Sequence, residues 1–452
     1  MKPLPVKLDA SPGALLTSWP PDIPLAVLWS GAETPASRWT ILAAPSRARR
    51  PFDSASRARL TPEPAASPPP AITTAGEIHT SDEPPFRAGW IGMLSYDLGD
   101  ALEPAVRSPR HPAEPGAWPL AEWWRCDDAL IFDRRAGRWW QLGNPPLPRA
   151  PGRPDPAPAP APTFVLAPLR SATGRAAYTA GVHRALEYIR AGDVYQVNLA
   201  HELRAPFRGS SRALLASLLA RSAPWYGAYL ECDHAGARRA LVSTSPELFL
   251  EFEPASRTVT TRPMKGTRPA SARPEELDLA TKDRAELTMI IDLMRNDLGR
   301  VCDFGSVRVT APRSIERHGG ASGVLQATAT ISGALRAGLS IDDLLRATFP
   351  AGSVTGAPKI RAMQIIDELE PTPRGPYCGC VGYISDDGHA AFSVAIRTAL
   401  IDGAPAPGSL CTFESATLRY SVGAGIVADS DPDAEWRETL DKAAAWPVDE
   451  PR

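Results

Sequence analysis

The chain has 452 residues, 43% of them hydrophobic, so it can form two or three average domains or one large two-layer domain with a substantial core. Its 49 basic and 51 acidic residues leave a net charge of −2, which argues against a nucleic-acid-binding protein held by a broad basic surface. The first residues contain no apolar segment of a signal peptide, no apolar run is long enough to span a membrane, and the six scattered cysteines favour reduced thiols in a cytoplasmic protein.

Short apolar and aromatic runs separated by Gly and Pro predict antiparallel strands in the first third of the chain. These runs are residues 25–29, 39–43, 89–96 and 129–132, together with the Trp139-Trp140 pair. Many of the 49 prolines, about twice the average usage, fall in residues 62–85 and 145–162, and such stretches form no core. The sequence therefore divides into a β-rich N-terminal region (1–145), a Pro/Ala-rich linker (146–164) and a larger region (165–447).

Helices and strands both follow the linker. From Glu275 to Gly299, apolar residues recur at intervals of three and four, which predicts one long amphipathic helix. Further helices are predicted at residues 175–191, 212–222, 342–347 and 360–369 and from Pro432 onwards, and strands at residues 194–200, 240–245, 247–250, 258–261, 381–384, 390–400 and 419–427. Because strands and helices do not alternate strictly, the pattern predicts an α+β fold rather than a doubly wound sheet.

Lysine is rare in this chain: only six of the 49 basic residues are lysine, and the rest are arginine. Lys265, in the segment 263–267, is the lysine of greatest interest, because an ammonium group can lose its proton and attack carbon while a guanidinium group cannot. Lys282, Lys359 and Lys442 also lie beside dense motifs. The alternative for Lys265 is an exposed surface charge, and the neighbouring motifs decide between the two.

Two helices each carry a pair of acidic residues on one face. Asp283 and Glu286 are three positions apart, as are Glu435 and Glu438. Four carboxylates on two helix faces can form an oxygen-lined site for a hard divalent ion such as Mg²⁺. The alternative is ordinary solvated helix surface, which such spacing also produces.

Three further segments can bind anions. In residues 352–359, small residues precede Pro358, which fits the first position of a helix whose free backbone N–H groups attract a carboxylate; a plain helix cap is the alternative. Arg397, with Tyr377, can bind a carboxylate with two hydrogen bonds, unless it pairs with a surface acid. The backbone amides of residues 423–425 offer another small-residue site, although glycines also serve bulges and turns.

Glu247 follows a predicted strand in the segment Ser245-Pro246-Glu247. A carboxyl group at a strand edge can act as a general acid. A surface glutamate is the alternative, and the segment alone does not exclude it.

Taken together, these segments resemble the chorismate-utilising enzymes. The resemblance extends over eight blocks in the same order, far more than any single motif provides. The blocks are residues 192–199, 245–247, 263–267, 283–300, 352–361, 374–383, 396–398 and 423–442. The resemblance implies the chorismate-binding fold of anthranilate synthase component I, a large two-layer fold of antiparallel sheets flanked by helices, with residues 165–447 as its catalytic region.

Two positions distinguish branches of this family. Members that activate water typically carry lysine where this chain has Gln196, and anthranilate synthases typically carry alanine where it has Lys265. The resemblance therefore implies the aminodeoxychorismate synthases, which aminate chorismate at C4 on the route to p-aminobenzoate. The rival interpretations are anthranilate synthase component I, with Lys265 a bystander, and a non-catalytic regulator that binds tryptophan or chorismate.

The resemblance also implies roles for the residues above. Lys265 would attack C2 of the chorismate ring, and Glu247 would act as general acid for the departing 4-hydroxyl group. Glu286 and Glu438 would bind Mg²⁺ directly, with Asp283 and Glu435 as the outer, water-mediated pair. The substrate-binding residues would be Thr267, Gln326, Thr355, Gly356, Tyr377, Arg397, Gly423, Ala424 and Gly425.

One residue departs from the family pattern, and one function is missing. Gln326 stands where the family usually has a histidine that contacts the substrate, and an amide cannot exchange a proton as histidine does. No cysteine lies in a Gly-x-Cys-x-Gly motif of a glutaminase. Ammonia would therefore come from a separate glutamine amidotransferase subunit, or from free ammonia at high concentration.

Overall fold

The computed structural model describes residues 1–31, 37–46, 60–62, 82–106, 117–146, 163–234, 237–319 and 323–450. Most of both proline-rich stretches lies outside these ranges, so the linker at 146–164 stays a prediction. Within the described residues, no helix is long and apolar enough to cross a membrane.

The strands are short in the N-terminal region and longer after it. They are β1 (Leu4–Val6), β2 (Ala26–Trp29), β3 (Trp39–Ala44), β4 (Gly89–Leu94), β5 (Ala121–Cys126), β6 (Asp128–Asp133), β7 (Arg138–Leu142), β8 (Phe164–Leu166), β9 (Arg170–Ser171), β10 (Gln196–Ser210), β11 (Tyr226–His234), β12 (Ala237–Ser245), β13 (Leu248–Glu253), β14 (Thr258–Arg262), β15 (Met264–Pro269), β16 (Arg308–His318), β17 (Val324–Ala334), β18 (Gly356–Ala357), β19 (Cys380–Ser385), β20 (Ala390–Val394), β21 (Thr398–Pro405) and β22 (Thr412–Ile426). The predicted strands of the N-terminal region are confirmed at β2, β3, β4, β6 and β7.

The helices are mostly amphipathic and pack against the sheets. They are α1 (Pro12–Ser18), α2 (Leu98–Leu102), α3 (Gly174–Arg190), α4 (Ser211–Ser222), α5 (Pro274–Asp278), α6 (Thr281–Gly299), α7 (Ile341–Thr348), α8 (Lys359–Leu369) and α9 (Pro432–Lys442), with a 3₁₀ helix at Gly352–Val354. Ser210 and Ser340 show why two of them begin where they do, since each side chain accepts a hydrogen bond from a backbone N–H group of the first turn.

The described strands form two antiparallel sheets. The large sheet has 13 strands, with β1-β7-β6-β3-β2-β11-β12-β21-β22-β10-β18 in order and β8 and β9 also paired with β10. The small sheet has nine, with β15-β17-β14-β13-β20-β19-β4-β5 in order and β16 also paired with β17. Strands from before the linker therefore complete both sheets. The predicted α+β fold of antiparallel sheets flanked by helices is confirmed.

The two sheets face each other across an apolar core. Ile41, Ile131 and Leu400 of the large sheet pack with Ile91 and Val381 of the small sheet, and none of these side chains is more than 5% exposed. On the outer face of the large sheet, α1 and α4 cover a second cluster. The largest cluster joins α3, α6, α7, α8 and α9 to strands of both sheets. Each fully buried Leu or Ile contributes about 1.5–3 kcal/mol to stability.

The predicted helix from Glu275 to Gly299 is wrong in one respect, because it is two helices. The chain leaves helical geometry at Ala280, whose ψ of 104° is extended. Pro274 begins the short α5, and the apolar face that suggested one helix lies wholly within α6. The break turns α6 so that its acidic face lies beside β15.

The predicted strand from Ala390 to Leu400 is also two elements. β20 ends at Val394 in the small sheet, and β21 begins at Thr398 in the large sheet. The chain crosses between the sheets at Arg397, whose φ of +53° is in the left-handed region. A continuous apolar run hid this crossing, because buried strands of both sheets need the same residue types.

Candidate active site

Lys265 lies at a bulge in β15, where α6 comes close. The register between β15 and β17 shifts between Lys265 and Thr267, and the intervening Gly266 has a φ of +80°. A Cβ atom on Gly266 would lie 2.8 Å from Cγ of Asp283. Glycine is therefore required both by the backbone conformation and by the approach of α6.

The amino group of Lys265 is almost buried. Its side chain is 14% exposed, and Nζ lies 3.9 Å from Oε2 of Glu286. Burial lowers the pKa of Lys265, and the nearby charge of Lys442 acts in the same direction, while Glu286, Glu247 and Glu438 oppose both. Because the net effect is a lowered pKa, a larger fraction of this lysine is neutral near pH 7 than of an exposed lysine.

Gln196 meets Lys265 from the opposite sheet. A Cβ atom on Gly425 of β22 would lie 2.6 Å from Gln196 Nε2 and 3.2 Å from Lys265 Nζ, so the amide and the amine converge on one point. Gln196 is fully buried, and neither polar atom of its amide has a hydrogen-bond partner among the described residues. Such groups are rare in folded proteins and commonly await a ligand or water. Gln196 served only to distinguish branches of the family and was not predicted as a site residue.

Glu247 is a buried carboxyl group between β12 and β13. It is 4% exposed, and its Oε1 accepts a hydrogen bond of 2.5 Å from Ser353 Oγ. Burial raises the pKa of Glu247 to about 7, although the Ser353 hydrogen bond and the charge of Lys265 act in the opposite direction. The group is therefore about half protonated at neutral pH, as a general acid should be.

Glu286 on α6 and Glu438 on α9, the inner acids (the pair predicted to bind the metal directly), both act on the charge of Lys265. Glu438 Oε1 also lies 2.8 Å from Lys442 Nζ, which donates a second hydrogen bond to the Gly423 carbonyl oxygen at 2.7 Å. Each inner acid therefore lies beside a lysine. In the part of the chain that the structure describes, no three His, Cys, Asp or Glu side chains are arranged as a metal centre.

Asp283 and Glu435, which were predicted as the outer pair, have other neighbours. Asp283 lies 2.9 Å from Arg268 Nη2. Glu435 is 3% exposed, and its Oε1 accepts a hydrogen bond of 2.6 Å from Ser430 Oγ. All four acids offer only oxygen donors, which is the donor type that a hard cation such as Mg²⁺ prefers.

The backbone of Arg397 is fixed by hydrogen bonds, while its guanidinium group is available to bind a ligand. Its carbonyl oxygen accepts hydrogen bonds from Thr244 N at 3.0 Å and from Thr244 Oγ1 at 3.2 Å. No hydrogen bond or ion pair joins its guanidinium group to another described residue. Among these residues, Arg397 is therefore not paired with a surface acid, which was the alternative interpretation. Tyr377 is 5% exposed, and burial raises its pKa well above the usual value. No direct hydrogen bond links Tyr377 to Arg397 within the described ranges.

The segment 352–358 is more closed than an open anion site. Thr355 Oγ1 donates to the carbonyl oxygens of Ala351 and Gly352 at 3.2 Å each, and the Thr355 carbonyl oxygen accepts from Asn198 N at 2.8 Å. Pro358 is the N-cap residue of α8, so the prediction that it occupies the first helical position is one residue off. Gly356, with a φ of +153°, pairs with β10, and a Cβ atom there would lie 2.2 Å from the Gln196 carbonyl oxygen.

The remaining predicted residues lie around the same strands. Gln326 of β17 is paired with Thr267 of β15; its Nε2 lies 3.5 Å from Thr267 Oγ1, and its Oε1 is buried without a partner among the described residues. Thr267 itself is exposed. Gly423 and Ala424 lie in β22, two and one positions before Gly425, and Ala424 is fully buried.

Arg374 was not predicted, yet it connects the parts of the site. It is buried, and it donates hydrogen bonds to both Glu370 carboxyl oxygens at 2.6 and 2.9 Å. It also donates to the carbonyl oxygens of Val354 at 2.9 Å and Asn198 at 2.7 Å. Because both carbonyl groups belong to segments that line the site, Arg374 fixes the 352–358 segment against β10. The sequence signal for Arg374 is its place at the start of the matching block 374–383.

Chemically, the predicted residues provide three groups. Lys265 is a lysine whose pKa is lowered by burial, Glu247 is a carboxyl group with a pKa of about 7, and Arg397 is a cationic group without an anionic partner in the described structure. A neutral amine beside a weak acid can attack carbon while the acid protonates a leaving group. A Cβ atom on Gly423 would lie 2.9 Å from the Leu199 carbonyl oxygen, so Gly423, like Gly425, is a position of close approach.

Comparison with known proteins gives consistent matches. The model of the chorismate binding enzyme family matches residues 28–446. Anthranilate synthase component 1 of Streptomyces coelicolor is 37% identical over 402 residues, covering 80% of this chain and 72% of that protein. Aminodeoxychorismate synthase component 1 of Klebsiella aerogenes is 37% identical over 369 residues, covering 79% and 76%. The crystal structure of anthranilate synthase component I from Streptococcus pneumoniae is similar with a TM-score of 0.70 and 26% identity, covering 91% of this chain and 92% of that one.

Proposed function

This chain belongs to the family of chorismate-binding enzymes, and on that premise we propose that it is the large component of an aminodeoxychorismate synthase. It would convert chorismate and ammonia into 4-amino-4-deoxychorismate and water. Relatives that form anthranilate are equally similar, so the proposal depends on the site. The observation that carries it is Lys265, a nearly buried lysine of lowered pKa that faces Gln196 and Gly425.

Lys265 and Glu247 would carry the two halves of the reaction. Neutral Lys265 Nζ forms a bond to C2 of the ring, the ring double bonds shift, and the C4–O bond breaks. Glu247 donates its proton to the departing hydroxyl group, which leaves as water. Ammonia then forms a bond to C4, the double bonds shift back, and the C2–Nζ bond breaks, which regenerates the lysine; the carboxylate of Glu247 takes up the proton that the new amine loses.

We propose that the acids on α6 and α9 bind a magnesium ion through their oxygen donors, although the described side chains are not gathered into a metal centre. Glu286 and Glu438 would hold it, with Asp283 and Glu435 behind them, because all four offer oxygen donors and the two inner acids lie near the same lysine. When bound, the ion would supply positive charge beside the ring carboxylate and the departing hydroxyl group.

Ammonia would come from a separate glutamine amidotransferase subunit. All six cysteines of this chain are buried. Burial raises the pKa of the Cys378 thiol to about 12 and that of Cys302 to about 11, the opposite of the activation that a glutaminase nucleophile needs. These thiols therefore support an external source of ammonia.

The product decides the proposal. Purified protein is incubated with chorismate, Mg²⁺ and an ammonium salt, and an aminodeoxychorismate lyase is then added. We expect p-aminobenzoate. Anthranilate formed without any p-aminobenzoate would instead assign the chain to the anthranilate synthases, and no consumption of chorismate at high ammonium would favour a non-catalytic binding protein.

Replacement of Glu247 by glutamine is expected to lower kcat by about 10²- to 10⁴-fold, because an amide cannot donate the proton. In the unaltered enzyme Glu247 is protonated below its pKa of about 7, so the step that needs the acid should slow as the pH rises above 7. This fall in rate above pH 7, the alkaline limb of the pH–rate profile, should be absent from the variant. Glu414, an exposed acid on β22, provides the control, since Glu414→Gln should retain both the rate and the limb.

Replacement of Arg397 by methionine is expected to raise KM for chorismate by about 10- to 100-fold, with a smaller effect on kcat. A charge-assisted hydrogen bond to a carboxylate contributes about 1.5–3 kcal/mol, and methionine retains the length of the side chain without the charge. Steady-state kinetics measure both constants. Arg208→Met, at an exposed position of β10, is the matched control; an Arg397→Met variant with the KM of that control would refute the carboxylate-binding role.

A further inference from the structure

Ser353 is the residue that contacts the proposed general acid. It lies in the 3₁₀ helix Gly352–Val354, 7% exposed, and its Oγ donates to Glu247 Oε1 at 2.5 Å. We propose that Ser353 is a positioning residue for Glu247, which holds Oε1 as a hydrogen-bond acceptor so that the transferable proton resides on Oε2. This inference rests on the proposed role of Glu247 and extends it to Ser353, for which the sequence predicted no individual role.

The hydrogen-bond inventory of the pair supports this assignment. Among the described residues, Ser353 Oγ bonds only to Glu247, and no other hydrogen bond reaches the Glu247 carboxyl group. A hydroxyl group that donates to one carboxyl oxygen favours protonation of the other oxygen. The accepting oxygen would otherwise place its own proton against the proton of the hydroxyl group. The pair therefore selects which oxygen delivers the proton.

The backbone around Ser353 is fixed from several sides. A Cβ atom on Gly352 would lie 2.6 Å from Cδ2 of Leu293, so the 3₁₀ helix packs directly on α6. The Val354 carbonyl oxygen accepts a hydrogen bond of 2.9 Å from Arg374, and Thr355 Oγ1 donates to the Gly352 carbonyl oxygen. Because the residues on both sides are held in this way, the backbone of Ser353 is fixed. Its hydroxyl group therefore holds the Glu247 carboxyl group in one position.

The same hydrogen bond would act after the proton has left. Glu247 is then a carboxylate, and a donated hydrogen bond to a charged acceptor is about twice as strong as one between neutral groups. The other titratable groups that act on Glu247 are Lys265, whose charge favours the carboxylate, and Cys378, whose thiol stays neutral because burial raises its pKa to about 12. Ser353 is thus the neutral group that stabilises the carboxylate.

The test compares three variants by chorismate consumption as a function of pH. Ser353→Ala should lower kcat by about 10- to 100-fold, since a displaced catalytic group costs about that much. It should also move the alkaline limb upwards by about one to two pH units, because loss of a hydrogen bond to the charged form raises the pKa of Glu247. Ser353→Thr, which keeps the hydroxyl group, should restore the position of the limb.

The matched control is Ser393→Ala. Ser393 of β20 is also 7% exposed, but its Oγ donates to the Val381 carbonyl oxygen at 3.3 Å rather than to a carboxyl group. This variant should leave the limb in place. If Ser353→Ala lowers activity no more than the control and leaves the limb unchanged, the positioning role is refuted.

A double-mutant cycle separates positioning from general destabilisation. In a Glu247→Gln background there is no acid to position, so adding Ser353→Ala should change the residual rate by less than about threefold. If the double variant instead loses activity by the full product of the two single-variant losses, the inference is contradicted. Because the readout is chorismate consumption, it is independent of which amine is formed; the p-aminobenzoate assay alone decides the proposed function.

Discussion

Lys265→Ala is expected to lose at least about a thousandfold in kcat/KM for aminodeoxychorismate formation, because the variant has no nucleophile for C2. The substitution removes an amine that is nearly buried between the two sheets, next to Gln196 and Gly425. Lys265→Arg should be equally inactive, since a guanidinium group keeps its proton at any pH the enzyme tolerates. The lost function is thus the neutral amine and not the positive charge.

Intact mass spectrometry checks the covalent step directly. In the absence of ammonia, the unaltered protein should accumulate a species heavier by chorismate less one water, located on Lys265. The alanine variant should show no such species. Lys7→Ala, at an exposed position near the N-terminus, is the control and should behave like the unaltered protein. Normal turnover by Lys265→Ala would refute the covalent route while leaving chorismate binding intact.

Arg374→Ala is expected to lower the free energy of unfolding by about 3–5 kcal/mol, the range seen when one partner of a buried ion pair is removed. Glu370 would be left buried without its partner, and the carbonyl oxygens of Asn198 and Val354 would each lose a donor. Denaturant unfolding followed by tryptophan fluorescence, with Trp436 and Trp123 in the core, measures the change.

Two comparisons establish the cause of that loss. Arg374→Met combined with Glu370→Leu removes both charges and should recover much of the stability, because well-packed apolar residues can replace a buried ion pair. Arg273→Ala breaks an exposed pair with Glu276 and should be nearly neutral. If Arg374→Ala unfolds at the same denaturant concentration as Arg273→Ala, the central role assigned to Arg374 is wrong.

Local patterns in the sequence predicted much of the fold. The periodic apolar face of α6 and the alternating strands of the N-terminal region are set by nearby residues, and both are present. The crossing at Arg397 was missed because its cause is not local: the chain changes sheet there inside an unbroken apolar run. Likewise, the break at Ala280 was missed because the periodic apolar residues all lie within α6 and carry no information on where that helix begins.

The candidate site was predictable by residue type but not by contact. Glu247 was identified as a potential acid, yet its partner Ser353 is 106 positions away and comes from a segment predicted to bind an anion. Gln196 and Lys265 meet only because β10 and β15 belong to facing sheets. Such contacts between residues far apart in the chain are set by the packing of the whole molecule. Sequence patterns therefore identify the candidate residues, and only the fold shows which residues they contact.

The position of Arg397 at the crossing between the sheets has a consequence for stability. A ligand held by Arg397 and by residues of both sheets would act as a non-covalent cross-link between the two layers. The bound ligand would then raise the free energy of unfolding by RT ln(1 + [L]/Kd). At a ligand concentration of about 100 times Kd, this stabilisation would amount to about 2.7 kcal/mol.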